Sequence, residues 1–218
     1  MYATHQKKNQ NSGILGAVGS HLIDLISFLL NGKKVTSVSG EVSTLITRRT
    51  FGDQDEQDPQ RFAQTSHAVT ADDYASAQLR FEDNLRGSLL VCTIVAGEPQ
   101  FSVQVSGSKG TLILNKDSLI LRRSGKDQSL SGEVVVKDQY LESPLNNAWG
   151  TGTYLIAKSI FNHLQLQHQQ QDQPHAKKQK LQSELLETAA SFEQGEYVQK
   201  VLDAIRLSSS LRKWVDVN

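Results

Sequence analysis

Apolar and polar positions along the 218 residues change period twice. Between Ile14 and Leu29, the residues Ile14, Leu15, Val18, Leu22, Leu25, Ile26 and Leu29 recur in steps of three and four, the period of a helix that buries one face. This predicts a helix from Ser12 or Gly13 to Leu30, capped by Asn11 or Ser12 and stopped at Asn31-Gly32. A period of two follows. VTSVSGEVSTLI (35–46) is rich in β-branched residues, and DYASAQLRF (73–81) sets Ala75, Ala77, Leu79 and Phe81 on one face. Glu82-Asp83-Asn84 turns the chain, and LRGSLLVCTIV (85–95) returns as the partner strand of a hairpin. FSVQVSG (101–107), TLILN (111–115) and SLILRR (118–123) are separated by short turns, which makes the pairing antiparallel. Residues 47–72, with DQDEQDPQ at their centre, read as a loop.

The helical period returns in the last third. TYLIAKSIFNHLQL (153–166) aligns Ile156, Ile160 and Leu164. The Gln-rich run 165–182 is low in complexity and is expected to lack structure. Ser191-Phe192-Glu193-Gln194 has the form of a capping box, opening a helix that turns Val198, Val201, Leu202, Ile205 and Leu211 inward. One helix, a run of strands, then helices imply an α+β fold: a largely antiparallel open sheet with helices packed on one face. The organisation expected is a disordered lead-in over 1–11 and one domain over 12–218, with flexible loops near 47–72 and 165–182.

Charge and composition narrow the partners. Lys and Arg number 23, as do Asp and Glu, so the basic excess of a nucleic-acid binder is missing. Cys92 is the only cysteine, so no internal disulfide forms, and a reducing, cytoplasmic compartment is expected. MYATHQKKNQNSG has no apolar signal core. The run Ile14–Leu30 contains Ser20, His21, Asp24 and Ser27 and is too polar to span a membrane.

The candidate chemistry lies in the first helix. Glycines fall at 13, 16 and 19, a G-x-x-G-x-x-G spacing preceded by THQKKNQNS. A dinucleotide fingerprint needs G-x-G-x-x-G directly after a buried strand, so these glycines are not one. Glycine in a helix costs about 1 kcal/mol relative to alanine, which suggests close approach by another group. Gly16, Ser20 and Ser27 lie near one line of the helix, and Ala17, His21, Asp24 and Phe28 on the next. His21 and Asp24, three apart, share a face. Two readings stay open: a buried, hydrogen-bonded histidine, or one tuned by the carboxylate to move a proton near neutral pH. Elsewhere the signals are structural. GSKGT (107–111) is a hairpin turn rather than a P-loop, and GTG (150–152) a turn before a helix. His163, His168 and His175 lack metal-ligand spacing, so no metal is expected. Asp72-Asp73 set the start of a strand, and Trp149 packs near the helix that follows.

Four blocks together resemble a known family. GILGAVGSHLIDLISFLL is similar to the G-G-G-x-L-x-D-x-G-x-H-x-x-D helix that opens the C-terminal part of the Gfo/Idh/MocA oxidoreductases. TADDYASAQLRFEDNLRGSL and FSVQVSGSKGTLIL resemble two hairpins of that family, and SFEQGEYVQKVLDAIRLSSSLRKWVDV its last helix and closing W-x-x-V. The TADDY and closing blocks are most like the glucose–fructose oxidoreductase domain-containing group. The resemblance spans residues 12–217. It implies a C-terminal α+β domain that contacts a sugar or polyol and joins other subunits through its open sheet, as a homo-oligomer. His21 matches the family's catalytic histidine; His21, Asp24 and Trp149 are the expected substrate contacts. NAD or NADP serves the full-length relatives through a Rossmann domain and an E-K-P motif. The chain shows neither, so no cofactor is expected to bind it tightly and it is expected to be inactive alone. The family's aspartate four residues before the histidine is Ala17 here, which breaks the proton relay. The alternative is an inactive binding or regulatory module of the same fold.

Overall fold

The computed structural model describes residues 13–53, 63–97, 100–115, 118–123, 129–131, 148–169 and 189–218. The chain divides into two compact units, residues 1–96 with 190–218, and residues 97–189.

In the first unit a π-helical turn, Leu15–Gly19, leads into helix α1, Ser20–Leu29. Strands β1 (Val35–Ser43), β2 (Arg48–Asp53), β3 (Ala63–Ala68), β4 (Tyr74–Phe81) and β5 (Arg86–Cys92) follow. Residues 190–218 add a long helix, Phe192–Leu211, and strand β10, Val215–Asp216. The main sheet runs β10-β1-β4-β5, antiparallel throughout. Alternation in β4 works as its sequence implies: Ala75, Ala77, Leu79 and Phe81 are all buried. Their partners on the same face are Val42, Gly40 and Val38 of β1 and Val91 and Leu89 of β5. The long helix lays Val198, Val201, Leu202, Ala204 and Ile205 on this face, and Leu15 and Ile23 complete the core. Leu211, expected inward, is 49% exposed in the last turn of its helix. Asn31 and Gly32 stop α1 as expected, with left-handed φ values of 55° and 78° and the Gly32 N–H on the Ser27 carbonyl at 2.8 Å.

β10 pairs with β1 only at Ser37 and Val38. Past that point the long helix supplies acceptors itself. Ser208 Oγ accepts from the Gly40 N–H at 3.0 Å, and Ser209 Oγ from the Val42 N–H at 2.9 Å. An unpaired buried amide costs about 1–3 kcal/mol, so these serines do the work of a missing strand. Close seating follows: a Cβ at Gly40 would lie 2.9 Å from Ile205 Cγ2. The other face of this sheet exposes Glu41, Gln78, Arg80 and Ser88, together with Leu90 at 64% and a Trp214 ring stacked on Arg80.

The loop expected over 47–72 carries the β2–β3 hairpin, whose centre lies outside the described residues. RRTFGD and AQTSHA lack an apolar alternation, so their pairing left no hydrophobic signal.

The second unit holds strands β6 (Ser102–Gly107), β7 (Gly110–Asn115), β8 (Ser118–Arg123) and β9 (Ser129–Ser131), an antiparallel meander in sequence order. Helix α2, Ala148–Gln169, belongs to it, and the last helix, Phe192–Leu211, is therefore α3. α2 starts before the GTG expected as a turn, which lies inside it. It also extends to Gln169, into the run expected to lack structure; the expectations for 1–11 and 170–182 fall outside the described residues. Register sets Val103, Leu114 and Leu119 side by side, and Val105, Leu112 and Leu121 in the next row. One face of this sheet is thus an apolar ladder, with Val105, Leu112 and Leu114 exposed by 36–42%.

The core of the first unit makes a direct prediction. Ile205→Ala removes a fully buried side chain beside Gly40 and should lower stability by about 2–5 kcal/mol in urea denaturation. A loss below about 0.5 kcal/mol would show that α3 does not seat on β1.

Candidate functional site

The first helix begins on a carboxylate from far along the chain. The Ile14 N–H donates to the Asp72 carbonyl, and the Leu15 N–H to Asp72 Oδ2, both at 2.8 Å. Asn11 and Ser12, the expected caps, lie outside the described residues; among those described, the Leu15 amide is satisfied by a residue 57 positions away. Gly13 has φ +101°, and any Cβ there would run into the Asp72 carboxylate. Gly19 is also crowded, since a Cβ would lie 2.9 Å from Leu15 Cδ1. These contacts explain two of the three glycines.

They also bear on what this helix start can bind. A dinucleotide's phosphates bind a helix N-terminus through free N–H groups and the positive end of the helix dipole. Here that position already holds an anion, the Asp72 side chain. The glycine-rich start of this helix does not fit a dinucleotide.

Asp73, next to the cap, is 2% exposed. Its two oxygens accept from the Leu45 N–H at 2.7 Å and the Ile46 N–H at 2.9 Å. Its own N–H donates to the Ser43 carbonyl, and its carbonyl accepts from the Thr93 N–H. Asp72-Asp73 do mark a strand start, and they also join it to α1, to β1 and to the end of β5.

His21 is the second residue of α1 and is exposed, which removes the buried reading. Asp24, one turn on, is half-buried and accepts from Gln194 Nε2 at 3.0 Å. Gln194 Oε1 accepts from Lys34 Nζ at 3.2 Å, and that ammonium sits 3.9 Å from the centre of the Tyr197 ring. The Tyr197 oxygen accepts from the Val35 N–H at 2.8 Å. Burial pushes this phenol above its ordinary pKa, against the opposing pull of the Val35 hydrogen bond, so it stays neutral at physiological pH. The chain of contacts ties α1 to α3 and to the start of β1.

The capping box is half realised. Ser191 Oγ accepts from the Gln194 N–H at 3.2 Å, but the Gln194 side chain reaches across to Asp24 and Lys34 instead of back to its own cap. Glu193 lies below its ordinary carboxylate pKa, chiefly through its hydrogen bond with Ser191. Trp149 is in the first turn of α2, in the second unit, and its side chain is outside the described ones. His21 and Asp24 thus share α1, while Asp72, Lys34, Gln194 and Tyr197 are the neighbours that periodicity could not single out. Among the described residues no group of three or more His, Cys, Asp or Glu side chains is placed to hold a metal. No helix among them is long and apolar enough to cross a membrane.

Residues 2–113 match the family described as the GFO/IDH/MocA C-terminal domain. The chain belongs to that family, the C-terminal domain of oxidoreductase-like proteins. Glucose-fructose oxidoreductase domain-containing protein 2 of Xenopus laevis is 26% identical over 214 residues, covering 94% of this chain and 50% of that protein. Levoglucosan dehydrogenase, solved in complex with NADH and L-sorbose, superposes with a TM-score of 0.66 at 21% identity, over 95% of this chain and 50% of that one. The super-repressor mutant of Gal80p from Saccharomyces cerevisiae does so with a TM-score of 0.60 at 13% identity, over 94% and 50%. These likenesses establish the α+β fold, and the chain spans about half the length of the relatives it matches.

The Gln194 contact yields a prediction. Gln194→Ala removes the amide from Asp24 and the acceptor from Lys34, and should lower stability by about 1 kcal/mol in urea denaturation. An unchanged midpoint would mean that this bridge does not hold α1 to α3.

Proposed function

We propose that this chain is the substrate-binding and oligomerisation domain of an NAD(P)-dependent sugar or polyol oxidoreductase-like protein. The observation that carries the reading is His21: exposed, at the start of a helix fixed at Leu15 by Asp72 and at Asp24 by Gln194. An imidazole held this way can exchange a proton with a ligand hydroxyl and form a hydrogen bond to it. Asp24 is a further proposed contact, acting mainly through the placement of α1; Trp149 remains a contact implied by the resemblance alone. The resemblance of His21 to the family histidine supports this, as does the L-sorbose bound by levoglucosan dehydrogenase. Hydride chemistry in such relatives belongs to the nicotinamide, and none of it is assigned to this chain. Residues 12–218 act as one functional domain in this reading, in the reducing cytoplasm that a lone cysteine suits.

Ala17 favours a second reading, a binding or regulatory module without catalysis. It stands where the family pattern has an aspartate, so the histidine lacks that carboxylate.

Calorimetric titration with L-sorbose and levoglucosan tests the substrate side. Both readings expect saturable binding that His21→Ala weakens by about tenfold or more, the loss of one polar hydrogen bond of roughly 1.5 kcal/mol. Equal affinity in the variant would remove His21 from the site. NADH titrated against Trp149 and Trp214 fluorescence should give no saturable quenching; micromolar binding would contradict the fit argument at the glycines.

We further propose that the homo-oligomer forms through the apolar ladder of the β6–β9 sheet rather than the outer face of β1-β4-β5. Such a ladder is larger than the scattered apolar residues of ordinary surfaces. Leu114→Asp should shift sedimentation of the protein at tens of micromolar from oligomer to monomer. A monomeric wild-type protein at that concentration would rule this interface out.

A further inference from the structure

We propose that Asp72 is the positioning residue for His21, acting through the π-helical turn that joins them; the functional consequence rests on the reading of His21 given above. Three observations converge. First, Asp72 takes the first two free N–H groups of the helix, that of Ile14 on its carbonyl and that of Leu15 on its carboxylate. A side chain at position 13 would be strained by the positive φ and would push against the carboxylate. Second, Asp72 is itself immobilised. Its neighbour Asp73 is buried and holds the Leu45 and Ile46 amides, while its backbone is bonded to Ser43 and Thr93. The helix therefore starts from a point fixed on the sheet.

Third, the body of the helix is fixed independently. Ile23 and Ser27 are buried, and Asp24 is tied to Gln194. The two anchors do not share an ordinary α-helical register. The Ser20 N–H reaches back five residues to the Leu15 carbonyl, so the turn between them holds one residue more than an α-turn. One residue of an α-helix is about 100° of rotation, so the wide turn absorbs the mismatch. His21 follows directly on this turn, as the second residue of α1. If the Leu15 anchor is released, the turn relaxes towards α geometry, and the backbone under His21 moves with it. The expectation is specific to His21: core residues further along α1 keep their places.

The test reads His21 without any ligand, so it can fail while the substrate reading stands, and the reverse. The ring resonances of His21, identified by their loss in His21→Ala, are compared by NMR across variants of the 218-residue chain. Asp72→Ala should shift them from their wild-type positions. Asp72→Asn retains an acceptor oxygen for the Leu15 N–H and should restore them. Leu89→Ala, a core change in β5, should lower the melting temperature and leave them in place. Should Asp72→Ala fail to fold, Gly13→Ala serves instead: it keeps the carboxylate, forces it away from the turn, and should shift the same resonances. His21 resonances that stay at wild-type positions in Asp72→Ala, or in Gly13→Ala, would overturn the proposal. So would a shift in Leu89→Ala as large as that in Asp72→Ala.

Discussion

Two adjacent carboxylates at the start of β4 hold two separate stretches of chain, and the first unit is arranged around them. A buried carboxylate is costly unless its oxygens are hydrogen-bonded. Asp73 meets that demand with the Leu45 and Ile46 amides, which fixes where the chain leaves β1. Asp72, half-buried, accepts from the Leu15 amide, which fixes where the first helix begins. The alternating apolar residues of β4 then run outward from this joint, and α3 covers them. Removing either carboxylate would leave backbone amides unpaired as well as loosen a contact, so the energetic weight of the pair exceeds that of two surface acids.

Much of this architecture was legible because it is local. The alternation of Ala75, Ala77, Leu79 and Phe81, the Glu82-Asp83-Asn84 turn and the Asn31-Gly32 stop each carry their instruction within a few residues. Elements defined by distant partners were not legible. Nothing near Gly13 indicates that its cap is Asp72, and nothing in Ser191-x-x-Gln194 says that the glutamine serves Asp24 instead of its own helix start. The β2–β3 hairpin went unseen for another reason: its strands are polar, so the hydrophobic period was silent. The glycines of GTG suggested a turn, yet α2 runs through them. Leu211 kept the apolar period of its helix and is nonetheless exposed in the final turn.

For the site, spacing alone put His21 and Asp24 on one face but left open whether the histidine was buried. The structure separates the two: His21 is exposed, and Asp24 is bonded to α3. The three glycines suggested close approach by another group, and at Gly13 that group is the Asp72 carboxylate, the protein's own anion at the helix start. The chain belongs to the GFO/IDH/MocA C-terminal family, and the helix that carries His21 starts with its Ile14 and Leu15 amides already satisfied by Asp72.

The most direct measurement is a pair of ¹⁵N–¹H spectral titrations of the chain, one with L-sorbose and one with NADH. The account predicts that the sugar perturbs amides around His21, from Gly13 to Asp24, and that NADH leaves this stretch unchanged. Perturbation of the Gly13–Leu15 amides by NADH, or sugar-induced changes that bypass His21 altogether, would contradict it.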